Sequence, residues 1–402
     1  MHQPIHRDAS LPANAEADMF NGGPPLRLLS LWGRFDPTHQ HVLRRATIVV
    51  CIGWLPLLLL AVVSYANGHE DVWRAFWRDA SVHARSLIVA PLLILAEAIC
   101  IPKLGATAQI FRQRAIVPDS QVPAYEKVVR SILWLRDWWV VEAIAVLLAY
   151  VIAALVMRNV PSTFLPDWHR GDGTLPLGRS SASWWNGLVS LPLLLVLLLG
   201  WLWRLFLWAR YLLLVSRLKL RLVAVHPEGA AGLMFVGYSL RAFGVLGVAI
   251  GTIVAATELA HVWAGAPVGP DQLGFVALGT IVAVVLVFAA PLLVFFRPLL
   301  RCWEEGVVLY GALTQRVGEA LEDKWMRGPP SDETEEPLST GDFSATTDLF
   351  QSAANLYSLR FVPIDLNSVI ALAVATALPF GVVALALVPF DKLLQHVLSM
   401  FV

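Results

Sequence analysis

Seven apolar runs, each about 20 residues long, constrain this chain more than any other feature of its sequence. An α-helix rises 1.5 Å per residue, so about 20 apolar residues cross the ~30 Å hydrocarbon core of a bilayer. Each run therefore predicts one membrane-spanning helix. The predicted spans are Ala46–Ala66, Ser86–Ala106, Trp138–Met157, Trp185–Leu205, Ala242–Trp263, Leu273–Phe296 and Asn367–Phe390.

Composition supports the same class of protein. Hydrophobic residues fill 57% of the 402 positions and charged residues only 15%, whereas an average soluble domain has about 25% charged residues. A water-soluble fold would lack the polar surface to cover so much apolar side chain. The sequence thus predicts an all-α, polytopic helical membrane protein. Its formal net charge is zero, so no electrostatic field indicates nucleic acid as a partner.

The distribution of Lys and Arg predicts the orientation in the membrane. Of the 30 basic residues, 23 lie in the N-terminal tail and in the second, fourth and sixth loops, against 7 on the other side. Basic residues stay on the cytoplasmic side of short loops, so we expect the N-terminus inside and the C-terminus outside. Some 45 mostly polar residues precede the first run, which indicates a retained first span rather than a cleaved signal peptide.

The sequence divides into four parts. Apolar residues recur every three or four positions from Leu300 to Trp325, and a second amphipathic stretch follows from Phe343 to Tyr357. With the Pro-rich, acidic linker "GPPSDETEEPLSTGD" between them, they predict an antiparallel helical hairpin under the membrane. The alternative is that the apolar faces of these two stretches associate with a second copy of the chain, which would form a homo-oligomer. The parts are a cytoplasmic tail (1–45) that is mobile in its first 25 residues and then carries a headgroup-layer helix, "LRLLSLWGRF"; a six-helix transmembrane bundle (46–296); the cytoplasmic hairpin (297–366); and the seventh span with a short periplasmic end (367–402).

Three charged residues within the spans are candidates for transport or binding. Glu97 lies about 16 Å along the second span from Ser86, close to the midplane. A carboxylate there costs a few kcal/mol and is usually paired, protonated or functional. Glu142 and Arg204 lie near the cytoplasmic ends of the third and fourth spans. An ion pair between these two is the structural alternative to a functional role.

A further pair, Glu258 and His261 in "ATELAHVW", stands near the outer end of the fifth span. The spacing of three residues permits a hydrogen bond between carboxylate and imidazole, and hence a site that titrates near neutral pH. A polar boundary to the span is the alternative. The same spacing occurs in di-iron bundles, but the sequence has no second Glu-x-x-His, so no metal is predicted.

Two candidate sites lie in the fourth loop. Arg210, Arg217 and Arg221 recur at helical spacing, which predicts a basic stripe that binds anionic lipid headgroups; a substrate-binding stripe is the alternative. His226 begins "HPEGAAGLMFVG", at the cytoplasmic entrance to the fifth span. There it either packs or caps a turn, or joins backbone amides in an anion site.

The stretches "HPEGAAGLMFVG" and "RFVPIDLNSVIALAVATALPF" resemble a recurring pattern in a family of multi-pass bacterial inner-membrane proteins of unassigned activity. The similarity covers most of the chain from the first span onward. It implies a bacterial cytoplasmic membrane and supplies no catalytic residue.

Common catalytic motifs are absent from the sequence: it has no P-loop, GxGxxG, CxxC, HExxH or GxSxG. An enzyme is therefore disfavoured, and no catalytic residue or cofactor is predicted. The leading hypothesis is a channel or carrier for an ion or small solute, with proton coupling through Glu97. The alternative is a non-transporting scaffold or sensor that acts through its cytoplasmic hairpin. A membrane-embedded enzyme acting on lipid comes third.

Overall fold

The computed structural model describes residues 15–23, 39–160, 165–171, 176–265, 270–327 and 341–387. Within these ranges the chain is helical and forms no strand, and seven of its helices are long and apolar enough to cross a membrane. The predicted fold class is confirmed. The spans are Val42–Ala66, Ala80–Gln113, Trp139–Asn159, Ser181–Val215, Gly244–Trp263, Asp271–Arg327 and Leu366–Ala386.

Several spans contain breaks in α-helical geometry. The first consists of helices His39–Gly53 and Leu55–Ala66, and the third is the single helix Trp139–Asn159. The second and fourth each contain one π-helical turn, and the sixth contains a 3₁₀ segment followed by a long helix. The remaining segments are Ala80–His83, Ala84–Val89 (π) and Ala90–Gln113; Ser181–Trp185, Asn186–Ser190 (π) and Leu191–Val215; Gly244–Trp263; Pro270–Ala289, Ala290–Phe295 (3₁₀), Phe296–Glu322 and Asp323–Arg327 (π); and Leu366–Leu387.

Shorter helices connect the spans. They are Glu70–Arg78, Val122–Arg136, Met234–Gly237, Ser239–Ala242 and Asp342–Tyr357, with 3₁₀ turns at Asp119–Gln121, Asp167–His169 and Pro176–Gly178.

The second span lies at the centre of the bundle. It packs against the first, fourth and fifth spans, and half of its most apolar stretch is buried, compared with 28% for the first, third, sixth and seventh. The fifth and seventh spans approach most closely at Gly247 and Gly251, where a Cβ on Gly251 would overlap the Thr376 carbonyl. The G-x-x-x-G spacing of Gly247 and Gly251 favours such a close approach between helices.

The bundle has two ends that differ in their loops. The basic end carries residues 15–23, 114–138, 216–243, 297–327 and 341–365, where loops join through backbone bonds such as Arg221 N to Ile116 O (2.8 Å). The opposite end carries residues 67–79, 160–180 and 264–270, of which 161–164, 172–175 and 266–269 lie outside the described ranges.

The N-terminal segment 15–23 packs against the basic end. Met19 and Phe20 are fully buried, and Phe20 meets the edge of Trp208 with ring centroids 5.5 Å apart. The backbone of Ala17 crosses the second span at Gly105, where a side chain would leave no room. The prediction of a mobile tail is wrong for these residues, because Met19 and Phe20 bury apolar surface in a groove between spans. The predicted headgroup-layer helix lies outside the described residues.

The helical hairpin at the basic end is confirmed. Leu356 packs against Gly306 close to the bundle, and the rings of Trp325 and Phe343 meet 5.6 Å apart at the far end. These two contacts make Phe296–Glu322 and Asp342–Tyr357 antiparallel. Most of the linker, residues 328–340, lies outside the described ranges.

Candidate functional site

A buried ion cluster joins the first, second and fourth spans. Glu97 accepts from Arg45 Nη2 at 2.6 Å and from Arg204 Nη2 at 2.8 Å. Glu97 is 6% exposed and Arg204 only 2%, so both lie in the bundle interior, as expected for Glu97. Arg45 was not among the sequence candidates. Its signal was its place as the last charge before the first apolar run.

Glu97 lies near the middle of the helix that forms the second span, which runs from Ala80 to Gln113. Arg45, whose guanidinium contacts Glu97 directly, precedes Ala46, where the charge-free run of the first span begins. The midplane position of Glu97 in the bilayer stays a prediction.

The ion pair between Glu142 and Arg204, which the sequence offered as the structural alternative, does not form. Arg204 takes Glu97 as its carboxylate partner, and its guanidinium lies 5.0 Å from the centre of the Trp201 ring. Glu142 is buried in the first turn of the third span. Sequence spacing placed Glu142 and Arg204 at a similar depth in their spans. It could not predict which sides of the two helices contact each other.

Unpartnered hydrogen-bond donors adjoin this cluster. Among the described residues, Arg204 Nε, Arg204 Nη1 and Trp208 Nε1 are buried without an acceptor. Arg204 and Trp208 are four positions apart on one helix and therefore share a face. Nearly all buried polar groups in proteins find a partner. The unpartnered donors of Arg204 and Trp208 therefore give this site the capacity to bind a hydrogen-bond acceptor.

Towards the opposite end, the same three spans depart from α-helical geometry at one level. Pro56 has no N–H, so the Ile52 carbonyl loses its usual helix donor. The indole Nε1 of Trp185 in the fourth span donates to that carbonyl instead (3.1 Å). One turn along, Ser190 Oγ donates to the Gly53 carbonyl at 2.6 Å. The fourth span thus replaces the backbone bonding that the first span gives up.

A small cavity lies where these irregular segments meet. It has about 20 Å³ of space open to the centre of a water molecule, and its polar lining consists of Arg85, Ser86, Asn186 and Ser190. Arg85 donates from Nε to the Ser81 carbonyl (3.0 Å). A cavity of that size holds about one water molecule. Each of the two π turns (Ala84–Val89 and Asn186–Ser190) is followed two residues later by a proline, Pro91 or Pro192, which removes a helix hydrogen bond there.

A dry layer separates the cavity from the ion cluster. Leu93, Leu194 and Leu197 are buried between them, and Trp201 Nε1 donates across the layer to the Leu93 carbonyl at 2.8 Å. We name the whole arrangement the polar seam: the cavity around Arg85, the dry layer, and the cluster of Arg45, Glu97 and Arg204. All of it lies between the first, second and fourth spans.

A hydrogen-bonded cap closes the opposite end above the cavity. Asp79 accepts from Trp168 Nε1 (3.1 Å) and caps the start of the second span through Val82 N (3.2 Å). Arg179 Nη1 donates to Ser183 Oγ (3.1 Å), which leaves the hydroxyl hydrogen for His169 Nδ1 at 3.0 Å. Burial lowers the pKa of His169 to about 3, so its imidazole is neutral at physiological pH.

Glu258 and His261 form no hydrogen bond with each other in the described structure. His261 is exposed at the opposite end. Glu258 is half-buried, and its Oε2 atom has no hydrogen-bond partner among the described residues. The i, i+3 spacing permitted a bond that the side chains do not make.

The fourth-loop candidates are arranged differently from the prediction. The helix of the fourth span ends at Val215, so Arg217 and Arg221 lie beyond it and share no helical face with Arg210. The predicted helical stripe is wrong, although Arg217 and Arg221 are both exposed. His226 caps a turn, because its Nδ1 accepts from Glu228 N (3.3 Å).

The two sequence stretches that carry the family resemblance lie against each other at the basic end. Arg360 N donates to the Gly229 carbonyl at 2.8 Å, and Gly237 packs so closely on Pro363 that a Cβ would overlap its carbonyl. Asp365 begins the seventh span by accepting from Ser368 N (3.0 Å). The hydrogen bond from the Ser368 hydroxyl, helped by Arg241, holds the pKa of Asp365 below its usual value.

No family model, curated protein or solved structure matches this chain. The family resemblance therefore stays a prediction. The class of the molecule, a helical protein with seven candidate membrane spans, rests on its own sequence and structure.

Proposed function

We propose that this integral membrane protein is a carrier for a small solute, which passes along the polar seam. One observation carries the proposal: the first, second and fourth spans all leave α-helical geometry at the level of one polar cavity. At membrane depth, irregular backbone is tolerated only where it is buried in protein or lines a cavity. Many carriers bind their solutes at such interrupted helices.

The dry layer supplies the second part that a carrier needs. Leu93, Leu194 and Leu197 close the seam between its two polar compartments, so a solute in the cavity has no continuous polar route to the ion cluster. Alternating access would open this layer from one side at a time. Glu97 serves here as the counter-ion of two guanidinium groups, which supports charge positioning rather than the proton coupling suggested by the sequence.

We further propose that the basic end faces the cytoplasm of a bacterial cell and that the protein lies in its cytoplasmic membrane. The 23 to 7 distribution of Lys and Arg supports this orientation. A reporter fused after Val402 should be active only on the periplasmic side. Cytoplasmic activity there would contradict the orientation and leave the seam itself untouched.

Flux through purified protein in liposomes tests the carrier proposal. Swelling or efflux with phosphate, succinate and sorbitol should reveal a solute that the wild-type chain transports. Leu194→Trp should fill the dry layer and abolish that flux. Leu202→Trp is the matched control, because Leu202 lies on the same helix but is 59% exposed. Equal flux through both variants would refute the seam as the route.

A second candidate function rests on a different surface. Val308 and Leu309 on the hairpin are 75% and 68% exposed, which is unusual for neighbouring apolar residues outside the bundle. A scaffold that self-associates through this face would explain them. Val308→Glu with Leu309→Glu should then convert an oligomer into monomers in detergent, whereas Gln315→Glu on the same helix should not. A monomeric wild-type protein would remove this candidate.

A further inference from the structure

We infer that the ion-cluster half of the polar seam binds an oxyanion, a carboxylate or phosphate group, through Arg204 and Trp208. The inference rests on the proposed carrier function for its role as a substrate site, and it names the class of solute. It is carried by side chains near the basic end and does not use the cavity around Arg85.

The first argument is an inventory of hydrogen bonds. A guanidinium has five N–H hydrogens and no acceptor. In Arg204 only Nη2 has a partner, Glu97 Oε1, while Nε and both hydrogens of Nη1 have none among the described residues. This side chain is 98% buried, and buried donors without partners destabilise a fold.

The second argument comes from the next turn of the same helix. The Trp208 ring is fully buried, and its Nε1 also has no acceptor in the described structure. Positions four apart share one helix face, so both side chains leave the helix on the same side. Donors without acceptors select a ligand that offers acceptors only.

Charge favours the same ligand. Glu97 gives one oxygen to Arg45 and the other to Arg204, so the Arg204 guanidinium has a single carboxylate oxygen as its anionic contact among the described residues. The neighbouring Cys100 thiol donates to the Ala242 carbonyl and offers no compensating acceptor. The carboxylate of Glu16, on the N-terminal segment, faces Arg112 at 3.6 Å. An anion at Arg204 would therefore meet positive charge and unpaired N–H groups together.

The segment 15–23 covers the site from the basic end. Phe20 lies against Trp208 (5.5 Å between ring centroids) and Tyr211 (6.2 Å), directly below the turn that carries Arg204. An anion from solution would have to pass Phe20 to reach this face of the helix, whereas the headgroup of an anionic lipid would approach from the bilayer. The two sources share one chemistry, and experiment distinguishes them.

Binding to the full-length protein in a neutral detergent tests the inference. Sodium phosphate, sodium succinate and phosphatidylglycerol micelles are titrated separately, and the midpoint of thermal unfolding is followed at constant ionic strength. We expect saturable stabilisation by at least one probe. Arg204→Lys keeps a cation for Glu97 but removes Nε and Nη1, and Trp208→Phe keeps the ring but removes its N–H. Each should weaken apparent affinity about tenfold or more.

Arg210→Lys is the matched control. Arg210 lies on the same helix and its Nε also lacks an acceptor, but it is six positions from Arg204 and on another face. Its change should alter affinity less than about twofold, because its side chain leaves the helix on a face that carries neither Arg204 nor Trp208. If Arg204→Lys does not fold, Trp208→Phe alone decides.

The outcomes separate the inference from the carrier proposal. Stabilisation by phosphate or succinate indicates a solute site, and stabilisation by phosphatidylglycerol alone indicates a lipid headgroup site. Anion binding without flux in liposomes retains the site and refutes the carrier. Flux of a neutral solute only, no saturable stabilisation by any probe, or affinity unchanged in Trp208→Phe overturns the oxyanion site.

Discussion

The two polar compartments of the polar seam are built from the same three helices, but their buried polar groups are satisfied in opposite ways. Near the basic end the helices are regular, and charged side chains pair across the bundle through Glu97. Around the cavity the helices are interrupted, and neutral side chains such as Trp185 and Ser190 take up freed backbone carbonyls. One compartment is held by charge and the other by neutral hydrogen bonds.

This difference predicts different responses to substitution. A buried carboxylate that balances two cations cannot be replaced without leaving charge uncompensated. A side chain that satisfies a single carbonyl contributes about 1 kcal/mol, and water can replace it in part. We therefore expect the ion cluster to dominate stability and the cavity region to tolerate change, as a moving part of a carrier must.

The largest effect should come from Glu97→Gln. The amide removes the charge between Arg45 and Arg204, both of which are mostly buried, and we expect a loss of about 3–5 kcal/mol in the free energy of unfolding. Unfolding in mixed micelles measures it. The control is Glu70→Gln, which breaks an exposed i, i+4 pair with Arg74 and should change stability by no more than about 0.5 kcal/mol. Similar losses in both variants would remove the contrast between buried and exposed pairs.

Next in size is Gly105→Ala in the charged half. Its Cβ meets the backbone of Ala17, so the segment 15–23 must shift, at a cost of about 1–3 kcal/mol. Protease cleavage within that segment should become faster. Gly187→Ala in the cavity half meets only the mobile end of Met157 and should cost less. Unchanged cleavage in Gly105→Ala would show that the segment does not depend on that contact.

His169 gives the opposite end a pH dependence of its own. Burial holds its folded-state pKa near 3, whereas an unfolded His titrates near 6.5. Below about pH 6.5 the unfolded chain binds a proton at His169, whereas the folded chain does not bind one until the pH approaches 3. Stability is thus fully present above pH 6.5 and falls steadily towards pH 3, with a loss of about 2 kcal/mol at pH 5.

Unfolding midpoints between pH 7.5 and 5 measure this effect in the wild type and in His169→Gln. The substitution should flatten the pH dependence, while His261→Gln, which changes an exposed imidazole, should leave its slope near that of the wild type. An equally steep slope in His169→Gln would assign the dependence to other groups.

The smallest effect should come from Trp185→Phe, which leaves the Ile52 carbonyl without its indole donor. We expect a loss of about 1 kcal/mol. In a Pro56→Ala background the backbone N–H returns to that carbonyl, so Trp185→Phe should then cost less. This double-mutant cycle measures the coupling between Pro56 and Trp185. Independent effects of the two changes would mean that Trp185 does not compensate for the proline.

The sequence was enough to predict the seven spans, the close approach that Gly247 and Gly251 permit, and the hairpin from Leu300 to Tyr357. Each depends on local information: the length of an apolar run, the size of a side chain, or the period of an amphipathic helix. The burial of Glu97 followed from the same kind of reasoning, because a charge in an apolar span must face the interior.

Which groups meet depends on how the helices pack in three dimensions. Glu97 and Arg45 are 52 positions apart, and Glu97 and Arg204 are 107 apart, so no local period predicts either contact. Phe20 packs against Trp208 and Tyr211, which are also distant along the chain. Helix formation is governed by neighbours along the chain. Ion pairing and cavity shape are governed by neighbours in space, which depend on how each helix is rotated and shifted against the others.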